Sequence, residues 1–368
     1  MTIHLIQDIA TPHNNRLIGA LIASDRCHLH LWYAVESSAK YGWSQSLTAQ
    51  LKHPTTYGKE RVNWRLIQQI LSNPGDRVFL VGWSNPTTRT LVVLLCLARR
   101  SFNMWFDLPR DQERRPYLRR VSRDAYYTLI RVSHVRVFCC GRVVLNYFIG
   151  RGFGSSKLVN FPVLGAMETP HLVNAVKQCS VRSTYGVGAT QSFIVAGSRL
   201  TFDKGFDLLI LAVEKADVTT RARLRLLIIG QGQEEAMLKQ KVATSGLDSV
   251  VTFEKWLEPE RFAACVAAAD FFVQPSRFDA YGAAATALPL GVPVIGTRES
   301  GACVELLEDG VNGFLYDAAD VETLARILDT AVGLMGTPKH SEMKELARRR
   351  ASGWTPAIAA EKLCQQLI

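Results

Sequence analysis

The 368-residue chain has no Cys-x-x-Cys pair; its eight cysteines, at 27, 96, 139, 140, 179, 265, 303 and 364, are scattered through apolar surroundings. That usage suggests neither a zinc site nor a disulfide framework and is what a reducing, cytosolic compartment leads one to expect. Long apolar runs are missing too. Stretches such as Leu91 to Ala98 fall short of the roughly 20 residues that a membrane-crossing helix needs. The first residues lack the basic region, apolar core and small-residue cleavage site of a secretory leader, so none is expected. Asp-x-Asp occurs nowhere, so no metal-held diphosphate of that kind, and no metal or cofactor, is expected. Nor do carboxylates pair off as glycoside hydrolysis requires.

What is present is the composition of a folded protein, 48% hydrophobic and 21% charged, with length for two domains. The net charge of +10 is uneven: residues 1–180 carry 23 Lys/Arg against 10 Asp/Glu, and the rest 20 against 23. Much of the excess lies between Arg110 and Arg136, where Arg115, Arg119 and Arg123 recur at a helical spacing. Such a stripe reads either as a solvated helix face or as a footprint for an anionic surface, a membrane face or a phosphorylated acceptor. Nucleic acid is not expected, since no nucleic-acid-binding motif accompanies the charge.

In the first half, apolar runs at 2–6, 29–35 and 78–83, each followed by polar residues and a helical pattern, argue for a doubly wound α/β domain. Further runs at 136–141 and 157–162 read as its last strands. Ligands in such sheets sit beyond the carboxyl ends of the strands. Three loops therefore become candidates to line a ligand site: His13, Asn14, Asn15 and Arg16 in the first, Trp83 in the second, and Asp107 in the third. His13 reads either as a general base or as an ordinary loop histidine. Trp83 reads either as a stacking platform or as core. Residues 166–192, mixed and rich in Gly, Ser and Thr, read as a linker between a domain of residues 1–165 and a second of residues 193–350.

From Phe193 the alternation is clearer, with strands expected at 193–196, 224–229, 250–253, 271–274, 292–295 and 313–316 and helices between them. Ala196-Gly197-Ser198-Arg199-Leu200 ends the first of these, and Lys204-Gly205 opens a helix. A helix start flanked by cations is suited to an anion, because its first amides are free to point outward. Pro275-Ser276-Arg277-Phe278-Asp279-Ala280-Tyr281-Gly282 follows the fourth strand, and a tight turn at Gly291-Val292-Pro293 feeds the fifth.

Taken together, these pieces resemble the donor half of a retaining GT-B glycosyltransferase, family 4-like (glycosyl transferases group 1), well over residues 193–332 and loosely before them. The resemblance implies an α/β fold of two Rossmann-like, doubly wound parallel-sheet domains facing a cleft, with a terminal helix, residues 351–368, crossing back to the first. It implies transfer of a sugar from a nucleotide-sugar to a glycolipid, a lipid-linked oligosaccharide or a surface polysaccharide such as lipopolysaccharide, in the cytoplasm or on the inner face of its membrane.

The same resemblance implies roles for Arg199 and Lys204 on the leaving diphosphate and for Asp279 on hydroxyls of the transferred sugar. Gly197, Ser198, Gly230, Ser276, Ala280, Tyr281 and Gly282 would line the donor, and Glu305 would either touch it from below or form an ion pair. Two departures stand out. Relatives carry His-Asp where this chain has Phe106-Asp107, and a ribose-gripping glutamate where it has Thr286 or Ala287; no acidic residue occurs between Asp279 and Glu299. The alternatives are an epimerase or hydrolase on the same scaffold, or a non-catalytic glycan- or membrane-binding descendant.

Overall fold

The computed structural model describes residues 2–35, 51–58, 60–109, 117–162, 175–279 and 281–367, without the side chains at 12, 13, 118, 119, 175 and 176. The chain divides into two compact units, residues 1–164 with 355–368, and residues 165–354.

In the first unit, β1 (Thr2–Gln7), β2 (His28–Tyr33), β3 (Thr55–Tyr57), β4 (Arg77–Val81), β5 (Phe102–Phe106), β6 (Val135–Cys139) and β7 (Leu158–Asn160) form a seven-stranded sheet in the order β3-β2-β1-β4-β5-β6-β7. Every pairing is parallel. Leu5 sits in register between Leu31 and Phe79, all three buried, which shows why these strands read as continuous apolar runs. Helix α1 (Pro12–Ser24) follows β1. Its start corrects the reading of residues 12–16 as a loop: Thr11 accepts from the Asn14 amide at 3.1 Å and Pro12 takes the first turn, where its missing N–H costs nothing. Asn63 and Asn85 cap α2 (Trp64–Ser72) and α3 (Pro86–Leu97) in the same way. Helices α4 (Tyr117–Val132) and α5 (Arg142–Gly150) complete the crossovers. The terminal helix, Pro356–Leu367, packs in this unit against α1, and the Arg77 guanidinium donates to the Leu367 carbonyl at 2.9 Å.

The second unit begins with a difference from the sequence reading. Residues 166–192, expected to be a linker, contain helix α6 (Ala175–Thr184), which belongs to this unit. Its Gln178 and Arg182 donate to the Ala267 and Ala268 carbonyls, so hydrogen bonds anchor a segment whose composition looked loose. Then β8 (Ser192–Gly197), β9 (Leu224–Ile229), β10 (Val251–Glu254), β11 (Phe271–Gln274), β12 (Val294–Thr297) and β13 (Gly313–Tyr316) build a six-stranded parallel sheet in the order β10-β9-β8-β11-β12-β13. Helix α7 (Phe206–Lys215) buries Phe206, Leu209, Ile210 and Val213, one apolar stripe at helical spacing, each contributing about 2 kcal/mol.

Helix α8 (Val218–Arg223) was not anticipated, whereas α9 (Glu235–Thr244), α10 (Pro259–Ala267) and α13 (Val321–Leu334) follow the expected pattern. The helix expected at 282–290 is a single turn, α11 (Ala284–Ala287), followed by a 3-10 turn through Pro289; α12 (Gly301–Leu306) is also short. Helix α14 (Pro338–Ser352), too charged to stand out in the sequence, is held by buried His340, Met343 and Ala347.

Both strand orders place a topological switch, the first between β1 and β4 and the second between β8 and β11. Neighbouring crossovers leave such a point in opposite directions and open a crevice beyond the strand ends, where ligands bind in doubly wound sheets.

Candidate functional site

At the second switch the loop after β8 meets the loop after β11. The Lys204 ammonium, almost wholly buried, lies 2.8 Å from Asp279 Oδ2 and 3.6 Å from Asp203 Oδ2. Arg199, half-buried on the same loop, has no ion pair among the described residues. The catalytic trio anticipated from sequence therefore lies on the two loops that the topology brings together, with Lys204 and Asp279 in direct contact.

The two loops lock to each other at four points. Arg277 grips the Asp207 carboxylate through both guanidinium nitrogens, at 2.6 Å each, and lies 4.1 Å over the Phe202 ring. The Phe278 amide donates to the Asp203 carbonyl at 3.2 Å. Gly205 has φ +68°, and a Cβ there would stand 2.0 Å from the Pro275 carbonyl oxygen, so the close approach needs a glycine. Burial pushes the Asp207 carboxyl up, but the hydrogen bonds and charge of Arg277 outweigh it and hold the group below its usual range.

Asp279 is aimed by neighbours that the sequence did not flag. Gln274, at the end of β11, directs its amide NH2 to Ser300 Oγ at 2.5 Å, the Tyr281 carbonyl at 3.4 Å and Asp279 Oδ2 at 3.5 Å, while its oxygen accepts from the Ala284 amide at 2.7 Å. Gly282 has φ +92°, and a Cβ there would lie 1.8 Å from Gln274 Nε2. Ser276 Oγ is 3.5 Å from Asp279 Oδ2, and its carbonyl accepts from Thr297 Oγ1 at 2.7 Å. Backbone bonds from the Asp279 amide to the Glu299 carbonyl, and from Gly301 to Asp279, fasten the loop to the start of α12. Gln274 ends a buried apolar strand; that polar residue at a strand's last position was the available signal. Ser300 carries no sequence signal that distinguishes it from any loop serine.

The other donor-side candidates divide by what they touch. A Cβ on Gly197 would stand 2.4 Å from the Phe262 ring and one on Gly230 1.9 Å from the Ser198 carbonyl oxygen, so both glycines let elements pack closely. The Ser198 amide donates to the Ile229 carbonyl at 3.1 Å. Tyr281 is buried and its carbonyl also accepts from Ser300 Oγ at 3.1 Å. Thr286 is half-buried on α11, whereas Ala287 is fully buried, so of the two positions where relatives carry the second glutamate Thr286 is the one with open surface. Glu305 is buried on α12, and its carbonyl accepts from Arg350 at 2.8 Å. Ala280 lies outside the described residues.

At the first switch, Asn14 and Asn15 sit in the first turn of α1, and Arg16 follows, its guanidinium lowered from its usual value by burial. The His13 side chain is not among those described. Asn14 donates to Gln7 Oε1 at 2.9 Å, and Asn85 donates to Asp8, whose carboxyl burial pushes up against the opposing pull of Asn85 and Arg89. Gln7, Asp8 and Asn85 are switch-point residues that the sequence reading missed. Trp83 stacks on Tyr126 at 4.7 Å with Arg89 at 5.8 Å over its ring, so the structure places it within an aromatic cluster. Asp107 is exposed, its Oδ1 accepting from the Leu108 amide at 3.0 Å.

Of the arginine stripe, Arg115 and the Arg119 side chain lie outside the described residues, and Arg123 on α4 is folded against Asp124 at 3.3 Å with 12% of its side chain exposed. Among the described residues, no group of three or more His, Cys, Asp or Glu is placed to hold a metal ion, and no helix is long and apolar enough to cross a membrane.

Two all-parallel, doubly wound units of this kind define a GT-B fold. Residues 181–350 match the family described as glycosyl transferases group 1. The structure is similar over its whole length to HepE of Anabaena, crystallised in complex with UDP, at a TM-score of 0.79 and 19% identity, covering 99% of that chain. Glycogen synthase of Xanthomonas campestris pv. campestris (strain 8004) is 32% identical over 186 residues, 48% of this chain. A GDP-mannose-dependent alpha-mannosyltransferase of Corynebacterium glutamicum is 29% identical over 194 residues, 52% of this chain and 42% of its own. The chain spans 37% of the length of that glycogen synthase.

Proposed function

We propose that the chain is a retaining, metal-independent glycosyltransferase that takes a sugar from a nucleotide-sugar held on its second unit. The observation that carries this reading is the Lys204–Asp279 contact at 2.8 Å beside Arg199 at a topological switch. Arg199 and Lys204 hold the diphosphate, assisted by the first amides of α7, and stabilise the charge that accumulates there as the glycosidic bond breaks. Asp279 accepts hydrogen bonds from hydroxyls of the sugar, positioned by Gln274 and Ser276. Interactions that strengthen as the diphosphate departs lower the barrier and not merely the Michaelis constant.

The donor is a nucleoside diphosphate sugar. Uridine is supported by the UDP with which HepE was crystallised, and guanosine by the GDP-mannose dependence of the mannosyltransferase. Thr286 stands in place of a ribose-gripping carboxylate, so the ribose is held by a single hydroxyl and more weakly. The acceptor is a glycolipid, a lipid-linked oligosaccharide or a growing surface polysaccharide, received by the first unit. The basic first half, Arg115 and Arg119 among it but not the enclosed Arg123, draws the protein to an anionic membrane face from the cytoplasmic side.

Incubation with UDP-glucose, GDP-mannose or ADP-glucose, with and without EDTA, tests this reading. One nucleoside diphosphate should be released at the same rate in both conditions, and proton NMR should show the sugar first appearing as the α-anomer. A β-anomer, complete loss of release in EDTA, or release from none of the three contradicts it.

A further inference from the structure

Two cysteines far apart in sequence meet in the first unit. Cys27 ends the turn between α1 and β2, and Cys364 lies on the terminal helix. Local structure holds both segments in place. Asp25 takes a left-handed φ of +49° and donates from its amide to the Ile22 carbonyl at 3.2 Å, which ends α1, and His28, next to Cys27, is paired with Thr2 in the sheet. On the terminal helix Ala360, Leu363, Cys364 and Leu367 are buried at helical spacing, so Cys364 belongs to the face that packs on the unit.

The two thiols are in hydrogen-bonding contact. A second contact sets the same register, since Arg26 lies 3.9 Å from Glu361, about one turn before Cys364. Cys265 and Cys139, by contrast, turn their thiols to oxygens, the Tyr185 hydroxyl and the Val137 carbonyl. Cys364 is buried, whereas Cys27 is half-buried and within reach of solvent. Burial, reinforced by Cys364, pushes the Cys27 thiol up to about 11, so little of it is thiolate at neutral pH.

We propose that Cys27 and Cys364 form a redox latch, open as two thiols at rest and closed to a disulfide by a small-molecule disulfide such as oxidised glutathione. Transient disulfides of this kind are how thiol pairs sense oxidation where the surroundings are reducing. The Cys27 thiolate attacks one sulfur of oxidised glutathione, whose S–S bond breaks, and one glutathione leaves and takes up the proton that Cys27 lost. Cys364 then attacks the Cys27 sulfur of the mixed disulfide, and the second glutathione leaves with the Cys364 proton. Two protein thiols are oxidised and one glutathione disulfide is reduced to two thiols. Thiols already in contact need close only to a bond of roughly 2.05 Å. The small thiolate fraction slows the first step, so the latch answers sustained and not brief oxidation. The chain passes from the second unit back into the first at residue 355, and closure fixes that returning segment covalently. Its other anchors are hydrogen bonds, from Arg77 to the Leu367 carbonyl, Arg136 to the Gln366 carbonyl and Lys362 to the Asn160 carbonyl.

The full chain carrying Cys179→Ser, which removes an exposed thiol, is incubated at pH 8 with oxidised glutathione and digested without reductant. A peptide pair linked through Cys27 and Cys364 should appear, and dithiothreitol should restore both thiols. Amide exchange in the terminal helix should slow at least about tenfold in the oxidised protein, and adding Cys27→Ala should abolish both the link and the slowing. The proposal is overturned if Cys27 stays reduced or ends as a glutathione adduct, if Cys364 links to another cysteine, or if the terminal helix exchanges equally fast in the oxidised and reduced protein.

Discussion

Lys204 and Asp279, 75 residues apart in sequence, meet as an almost buried ion pair at 2.8 Å. In the proposed reaction one serves the diphosphate and the other the sugar, so the donor must part them. Their attraction in a site of low effective dielectric then holds the empty site together and opposes premature binding of a lone phosphate.

Removing the carboxylate therefore frees the lysine. Asp279→Asn should bind free nucleoside diphosphate about threefold to tenfold more tightly, because an anion no longer competes with a fixed one, while losing at least about 100-fold in turnover of the nucleotide-sugar. Calorimetry and a coupled release assay on the same preparation check both halves.

Two glycines should respond oppositely to the same change. Gly282→Ala forces a side chain onto φ +92° and into Gln274, which should cost about 2 kcal/mol and displace the group that aims Asp279. Gly333→Ala, late in α13 with nothing within 4 Å of the new Cβ, should stabilise by about 0.5–1 kcal/mol. Denaturant melts of the two variants give the comparison.

Arg277 sets the acid limb of the second unit. The folded Asp207 carboxyl titrates below its usual value, so the stability from this pair is in place above about pH 4 and is lost as pH falls through the folded value. In Arg277→Ala burial of Asp207 remains but its partner is gone. Stability should fall by about 1–2 kcal/mol at neutral pH, and the acid loss should begin at a higher pH, as read from urea midpoints between pH 3 and 7.

His340 supplies a second, milder pH response. Its ring stacks on Phe271 at 5.0 Å and donates from Nε2 to the Asp270 carbonyl at 3.0 Å. Burial, helped by the nearby Lys344, lowers its pKa despite that hydrogen bond. With the folded value below the unfolded one near 6.5, its contribution is complete above about pH 6.5 and is lost as pH falls. His340→Gln should flatten the change in melting temperature between pH 7.5 and 5.5 that the parent protein shows.

Much of the second sheet was legible because its strands are buried on both faces and so appear as short apolar runs bounded by glycine and proline: β9, β11 and β13 fall where the sequence put them. Arg199, Lys204 and Asp279 were picked out through the resemblance of their motifs, and the strand order adds that β8 and β11 are neighbours, so that the loops after them meet. Gln274 was not, since its importance lies in partners that only the folded loop brings to it: Ser300 from 26 residues away, two backbone groups and the Asp279 carboxylate. Helix α1 was misread because Thr11-Pro12 can open a turn or a helix, and only the Asn14 amide on Thr11 decides between them. Helix α6 was hidden by linker-like composition, and α14 by charge that covers a three-residue buried face.

The most direct measurement is calorimetric titration of the purified chain with UDP, GDP and ADP, alongside Arg199→Ala and Lys204→Ala. The account predicts micromolar binding of one nucleotide that both substitutions abolish, with Thr286 leaving room for modest affinity. Absence of binding to all three, or binding that survives both substitutions, would contradict a diphosphate site at the meeting of the Arg199–Lys204 and Asp279 loops.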